Sequence, residues 1–188
     1  AVPIALAVVF GFCAVAMIGI MVYFSCIDTK TDLGSFERII RFNDIWGTHR
    51  GFMWIRSIWI FGDASFIEKL FGVGPDMFYS AFSPYFNDLS KYGDSSTNAA
   101  HNEYLNYLIT IGITGLLSYL AIVCGTIKNA VKYAKENPML IACVSAVICY
   151  AVQSVVNLYQ PITTPLFFIF IALCEAFVRN AKTEKSAV

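Results

Sequence analysis

Charge is what this chain has least of. Only 14% of its 188 residues are charged, against roughly 25% in an ordinary soluble domain. Thirteen basic residues balance thirteen acidic ones, so the net charge is zero. With no basic excess to neutralise phosphates, nucleic acid is disfavoured as a partner. Histidine occurs twice, and no cysteines form a CxxC pair, so a zinc site lacks its usual ligands. The six cysteines, Cys13, Cys26, Cys124, Cys143, Cys149 and Cys174, all fall in apolar runs. There Cys behaves as a small hydrophobe rather than as part of a disulfide framework. A disordered chain is excluded as well, because that state needs low hydrophobicity and high charge.

Apolar residues are abundant: they make up 57% of the chain, and the mean hydropathy is +0.63. They come in runs. Residues 2–27 carry no charge, nor do Leu105–Ile127 and Met139–Pro161, and Pro165–Val178 is interrupted only by Glu175. A membrane helix needs about 20 such residues. The pattern predicts an all-α membrane protein with four transmembrane helices. The first occupies 1–27, and helices two to four lie in 105–178. Residues 28–104 form a long, partly helical loop between the first and second, and 179–188 form a tail. The first run is too long for the apolar part of a signal peptide and has no basic segment before it. The chain opens on Ala1 inside that run, which reads as the C-terminal part of a larger polytopic protein.

Short loops set the orientation. The Ile127–Pro138 connection holds Lys128, Lys132 and Lys135 against Glu136, and the tail holds Arg179, Lys182 and Lys185 against Glu184. Lys and Arg accumulate in short cytoplasmic loops. The lysine loop and the tail are therefore expected inside, and residues 28–104 outside. A loop of that length is exempt from the charge rule. In a small membrane protein it is also expected to be functional or to have structure of its own.

Within the outer loop, Leu33–Trp46 mixes apolar and charged residues at helical spacing. Arg50–Phe61 (RGFMWIRSIWIF) reads as a helix on or dipping into the outer surface, with Trp54 and Trp59 suited to the interface. Gly72, Gly74 and Pro75 predict a specific bend. Ser83–Asn98, rich in Ser, Asn, Asp, Tyr and Gly, reads as an exposed loop. Thr97 or Asn98 is the expected cap of the next helix. That puts His101 in its first turn, where the positive helix end favours a neutral imidazole and free amides favour an anion. A neutral imidazole beside an anion site suits a general base facing a phosphate-bearing donor. His101, Leu105, Leu108, Gly112 and Gly115 share one helical face, whose small residues let a neighbouring helix approach. Glu103 points elsewhere and is expected to face solvent or pair with a loop cation. Arg38 and Arg41, three apart, read as a solvated face. His49 is adjacent to Arg50 but belongs to no pattern.

His101-Asn102, followed nine residues later by Gly112-Ile-Thr-Gly115, matches the HN-x9-GxxG pattern of the O-antigen ligase family, which includes O-antigen polymerases. GVGPDMF resembles the family's GxGP-x-x-F bend, and RGFMWIRSIWIF resembles its Arg-and-Trp outer helix. The resemblance covers about Arg50 to Val178. It implies a GT-C-like fold in the bacterial plasma (inner) membrane. It also implies inverting, metal-independent and cofactor-free transfer on the outer face. The donor would be a glycan on a polyprenyl diphosphate, and the acceptor a hydroxyl of a glycan or lipid-linked molecule, with membrane lipids as further partners. Carried over, His101 would be the base or acceptor-positioning group. Arg50 would neutralise the diphosphate by a permanent, bidentate charge. Arg56 and Asn102 would bind substrate. The Arg-x-x-x-Leu motif of ligases is missing, since neither Arg50 nor Arg56 has Leu four residues on. That tilts the resemblance toward polymerases. Two other classes remain open at this point: a transporter or flippase fragment, and a non-catalytic membrane subunit with a partner-binding outer loop.

Overall fold

A computed structural model describes residues 2–186, with side chains described for 11–183. The start at Ala1 and the tail charges at Glu184 and Lys185 lie outside those descriptions. Every regular element among the described residues is helical, with no strand. In chain order the α-helices are α1 (Val2–Val22), α2 (Glu37–Ile40), α3 (Trp46–Asp63), α4 (Phe66–Phe71), α5 (Phe78–Phe82), α6 (Phe86–Leu89), α7 (Glu103–Thr110), α8 (Gly112–Tyr133), α9 (Met139–Gln153) and α10 (Thr163–Ser186). The chain divides into two compact units, Ala1–Arg56 and Ser57–Val188.

In the first unit, α1 runs into a wider π-turn over Tyr23–Ile27. Its described side chains stand open: Phe12 is 74% exposed and Val15 70%. Arg41 meets one free carbonyl of the turn and one beyond it. Its Nε donates to Phe24 O at 3.1 Å, and one terminal nitrogen donates to Thr31 O at 2.7 Å. The other pairs with Glu37 at 2.9 Å. Arg41 is therefore a clamp on orphan carbonyls, not the solvated residue expected beside Arg38, which is exposed. The helix expected over Leu33–Trp46 shortens to a 3₁₀ turn (Gly34–Phe36) and α2, because Arg41 turns extended (φ −91°, ψ 116°) to reach those carbonyls.

The second unit is built on α8, α9 and α10. One apolar cluster joins Ala130, Leu140, Cys143, Val144, Cys174 and Val178, and another joins Tyr119, Val123, Val147 and Phe167. The opposite faces carry exposed Leu117, Ile122, Ile141, Leu166 and Ile169, a pattern suited to lipid rather than water. Two helices are long and apolar enough to cross a membrane, Gly112–Tyr133 and Thr163–Thr183; Gly11–Ile27 and Met139–Gln153 are apolar but shorter. The third run, read as Met139–Pro161, stays helical only to Gln153. Ser154 ends it because its carbonyl and hydroxyl are both taken by Glu103.

Ser83–Asn98 is less open than its composition predicts. Helical turns continue through Ser83–Tyr85, α6 and Ser90–Tyr92. Phe82 and Leu89 are fully buried, and Phe82 lies 5.4 Å from the Phe78 ring. The apolar residues, spaced at a helical interval, override the polar ones between them.

Candidate functional site

The sequence-predicted residues fall in both units. In the first, Gly47, Thr48 and His49 form a left-handed turn (φ 60°, 61° and 67°) at the start of α3. Such backbone is strained for Thr and His. It folds the chain back so that the Phe52 N–H reaches Asp44 O at 3.2 Å. Gly51 sits against the Asn43 carbonyl where any Cβ would collide. The Asp44 carboxylate then takes both terminal nitrogens of Arg56, at 2.8 and 2.9 Å, with the guanidinium 4.3 Å from the centre of the Phe52 ring. Arg56 is thus a bidentate strut. Arg50 differs. It is half-buried beside Gly47, and among the described residues no hydrogen bond or ion pair engages its guanidinium. Its fork is available for an anion.

In the second unit the cap is neither Thr97 nor Asn98. Asn102, extended at φ −152°, accepts the Leu105 N–H on its side-chain oxygen at 3.0 Å and opens α7. His101 therefore stands just before the helix rather than in its first turn. It adopts φ 51°, a left-handed conformation, which turns its backbone sharply between buried Ala99 and Ala100 and the buried cap.

The run expected as one helix breaks at Ile111. Gly112 takes φ 69°, and α8 starts there. The break is made by the glycine-rich bend forty residues earlier. The N–H groups of Val73 and Gly74 donate to the last carbonyls of α7, Ile109 O at 2.9 Å and Thr110 O at 3.0 Å, so the bend caps α7. A Cβ on Gly72 would strike the Thr110–Ile111 peptide, and one on Gly112 would strike the Leu70 carbonyl. Thr114 adds a hydroxyl donor to Leu70 O at 2.7 Å. The two glycine motifs are thus halves of one backbone crossing. Gly112 lets the C-terminal end of the neighbouring helix α4, at Leu70, approach together with the bend that follows it. Gly115 lies against the side chain of Ile111, one turn back.

Glu103 is the residue the sequence reading misplaced. It is 1% exposed. Its carboxylate accepts Ser154 Oγ–H at 2.7 Å and Tyr107 O–H at 2.8 Å, and its N–H donates to Ser154 O at 2.9 Å. Tyr104 O–H adds a bond to Ala151 O at 2.7 Å. Among the described residues no cation pairs with Glu103. A signal was present in the sequence: Glu103, Asn106 and Thr110, spaced at three and four, are a polar stripe on one face. All three are buried.

The family profile described as O-antigen ligase matches residues 3–120, which is more than half of the chain. The chain belongs to the O-antigen ligase family. The match takes in Arg50, Arg56, the glycine crossing, His101 and Asn102. Comparison with curated proteins and with solved structures gave no match. The motifs that carry the resemblance thus have a physical account here: a strained, capped elbow at His101, held by the crossing at one end of α7 and by Glu103 at the other. No group of three or more metal-ligating side chains occurs among the described residues.

Proposed function

We propose that this chain carries out, on the outer face of a bacterial inner membrane, the transfer of a glycan from a polyprenyl-diphosphate carrier to an acceptor hydroxyl, in the assembly of cell-surface polysaccharide. The family membership supports the reaction class, since O-antigen ligases and polymerases act on lipid-linked glycans. The observation that carries the residue assignment is the His101-Asn102 elbow, a left-handed imidazole-bearing residue immediately ahead of a capped helix N-terminus. His101 takes the acceptor proton as the acceptor oxygen attacks the anomeric carbon. The bond from that carbon to the diphosphate oxygen breaks, and the polyprenyl diphosphate departs with its electron pair. A single displacement inverts the anomeric centre. Arg50, with its unengaged fork, stabilises the charge on the departing diphosphate. Asn102 holds the elbow and contacts substrate. Arg56 contributes to substrate binding by fixing the turn from which Arg50 projects. The transfer is metal-independent and needs no cofactor, in keeping with a sequence that has no DxD motif.

The proposed topology has four spans, α1, α8, α9 and α10, with residues 28–104 outside and the C-terminus in the cytoplasm. α9, at 15 residues, covers about 22 Å, so its span is completed by the turn that follows it. The test is transfer by the full chain reconstituted in liposomes with a polyprenyl-diphosphate glycan and an acceptor. His101→Ala is expected to abolish product while insertion and folding are unchanged. Wild-type product from that variant would overturn the role of His101. Glycan movement across the vesicle without any transfer product would favour a transporter.

A further inference from the structure

The geometry points to Glu103 as the residue that positions His101, acting through Ser154. This rests on the proposed role of His101 and adds to it a residue that touches neither donor nor acceptor.

Glu103 is the first residue of α7 and stands two positions after His101. It meets Ser154 through two bonds of opposite sense. Its backbone N–H donates to the Ser154 carbonyl at 2.9 Å, and its carboxylate accepts the Ser154 hydroxyl at 2.7 Å. Two antiparallel bonds to one residue fix distance and rotation together. Tyr107, one turn along the same helix, fills the other carboxylate oxygen at 2.8 Å, and Tyr104 fastens that turn to Ala151 at 2.7 Å. The N-terminus of α7 is thereby locked to the C-terminal end of α9. Its own C-terminus is locked by the Val73 and Gly74 amides.

The residue just ahead of this locked helix is strained. His101 at φ 51° stays left-handed only while its surroundings over-determine it. Asn102 caps α7 through its side chain, but nothing in that bond fixes where the whole helix end sits. The Glu103–Ser154 pair does. A buried carboxylate is costly unless its oxygens are satisfied, and here both oxygens are satisfied by hydroxyls rather than by a cation. Glutamine cannot reproduce this, because its amide keeps only one accepting oxygen.

The chain holds only two histidines, His49 and His101, which permits a direct reading of position. In the full protein carrying isotope-labelled histidine and placed in lipid nanodiscs, two sets of imidazole resonances are expected, and His49→Gln assigns them. Glu103→Gln and Ser154→Ala should shift or broaden the His101 set and leave the His49 set unchanged. Ser154→Thr, which keeps the hydroxyl, should restore the wild-type His101 signal. In the transfer assay Glu103→Gln should lower kcat about 100-fold, the scale of a 1 Å misplacement of a reacting group, with KM within about twofold. Unchanged His101 resonances in a folded Glu103→Gln protein would overturn the inference. So would shifted resonances with wild-type kcat. If Glu103→Gln fails to fold, Ser154→Ala against Ser154→Thr carries the same comparison. Full activity of His101→Ala would instead sink the proposed function, and the resonances would still report whether Glu103 sets the imidazole.

Discussion

Two arginines six residues apart have different chemical fates, and that difference gives the sharpest residue-scale expectation. The Arg56 fork is closed on Asp44 by two bonds, whereas that of Arg50 is open. Arg50→Ala should cut transfer by roughly 100-fold, the order seen when one charge-stabilising donor is removed from a transition state, with little change in melting temperature. Arg50→Lys should recover only part of it, because an ammonium keeps the charge but not the planar fork. Arg56→Ala should show the reverse balance: a loss of about 1–3 kcal/mol in stability as Asp44 loses its charge-assisted bonds, discounted for the partial exposure of that carboxylate. Circular-dichroism melts and transfer rates on both variants check this, and equal stability losses would refute the distinction. The sequence showed these residues as candidates but not their partners. Arg56 finds Asp44 only because of a left-handed turn that no propensity announces, and Glu103 finds Ser154 from 51 positions away. Through-space pairing of that kind leaves no trace in a single sequence.

At the scale of elements, glycine spacing was legible but its purpose was not. GxxG on an apolar helix ordinarily means helix packing. Here the first glycine ends one helix, begins another and admits both the last turn of α4 and the Gly72-Val-Gly74 bend that follows it. A pattern scan treats these as separate motifs, although the backbone makes them one. The consequence is measurable. Gly112→Ala must carry a Cβ at φ 69° and drive it into the Leu70 carbonyl, which together should cost roughly 2–5 kcal/mol. Gly72→Ala at φ 77° meets the Thr110–Ile111 peptide from the other side and should cost a similar amount. The two changes act on one crossing, so their combined effect should be well short of the sum. Gly115→Ala meets only the Ile111 side chain and should cost less, because that chain can shift its rotamer. Thermal melts of the four variants give the comparison. Additive losses at Gly72 and Gly112 would show that the crossing is not a single unit.

For the whole molecule, three uncharged runs and a fourth broken only by Glu175 announced a membrane protein, and the two longest helices agree with them. The boundaries moved where polar bonds intervened, at Ile111 by the bend and at Ser154 by Glu103. The proposed orientation gains support from one pair of contacts. Lys132, near the end of α8, and Lys182, near the end of α10, both lie over the Tyr133 ring, at 5.3 and 5.7 Å from its centre. The two lysine-bearing ends therefore stand on the same side of the second unit, as two parallel spans require. Short lysine-rich segments remain in the cytoplasm, so that side is expected to face inward. Ser95, exposed in the segment between α6 and α7, is then expected to face outward. The test uses single reporters, Ser95→Cys and Lys135→Cys, in a background with the six native cysteines replaced, and a thiol reagent that does not cross membranes. In intact inner-membrane spheroplasts Ser95→Cys should label fully and Lys135→Cys only after permeabilisation. Labelling in the opposite order would invert the topology. It would also remove His101 from the outer face, where the proposed transfer places it, so this measurement bears on the proposed chemistry as directly as any substitution in the site.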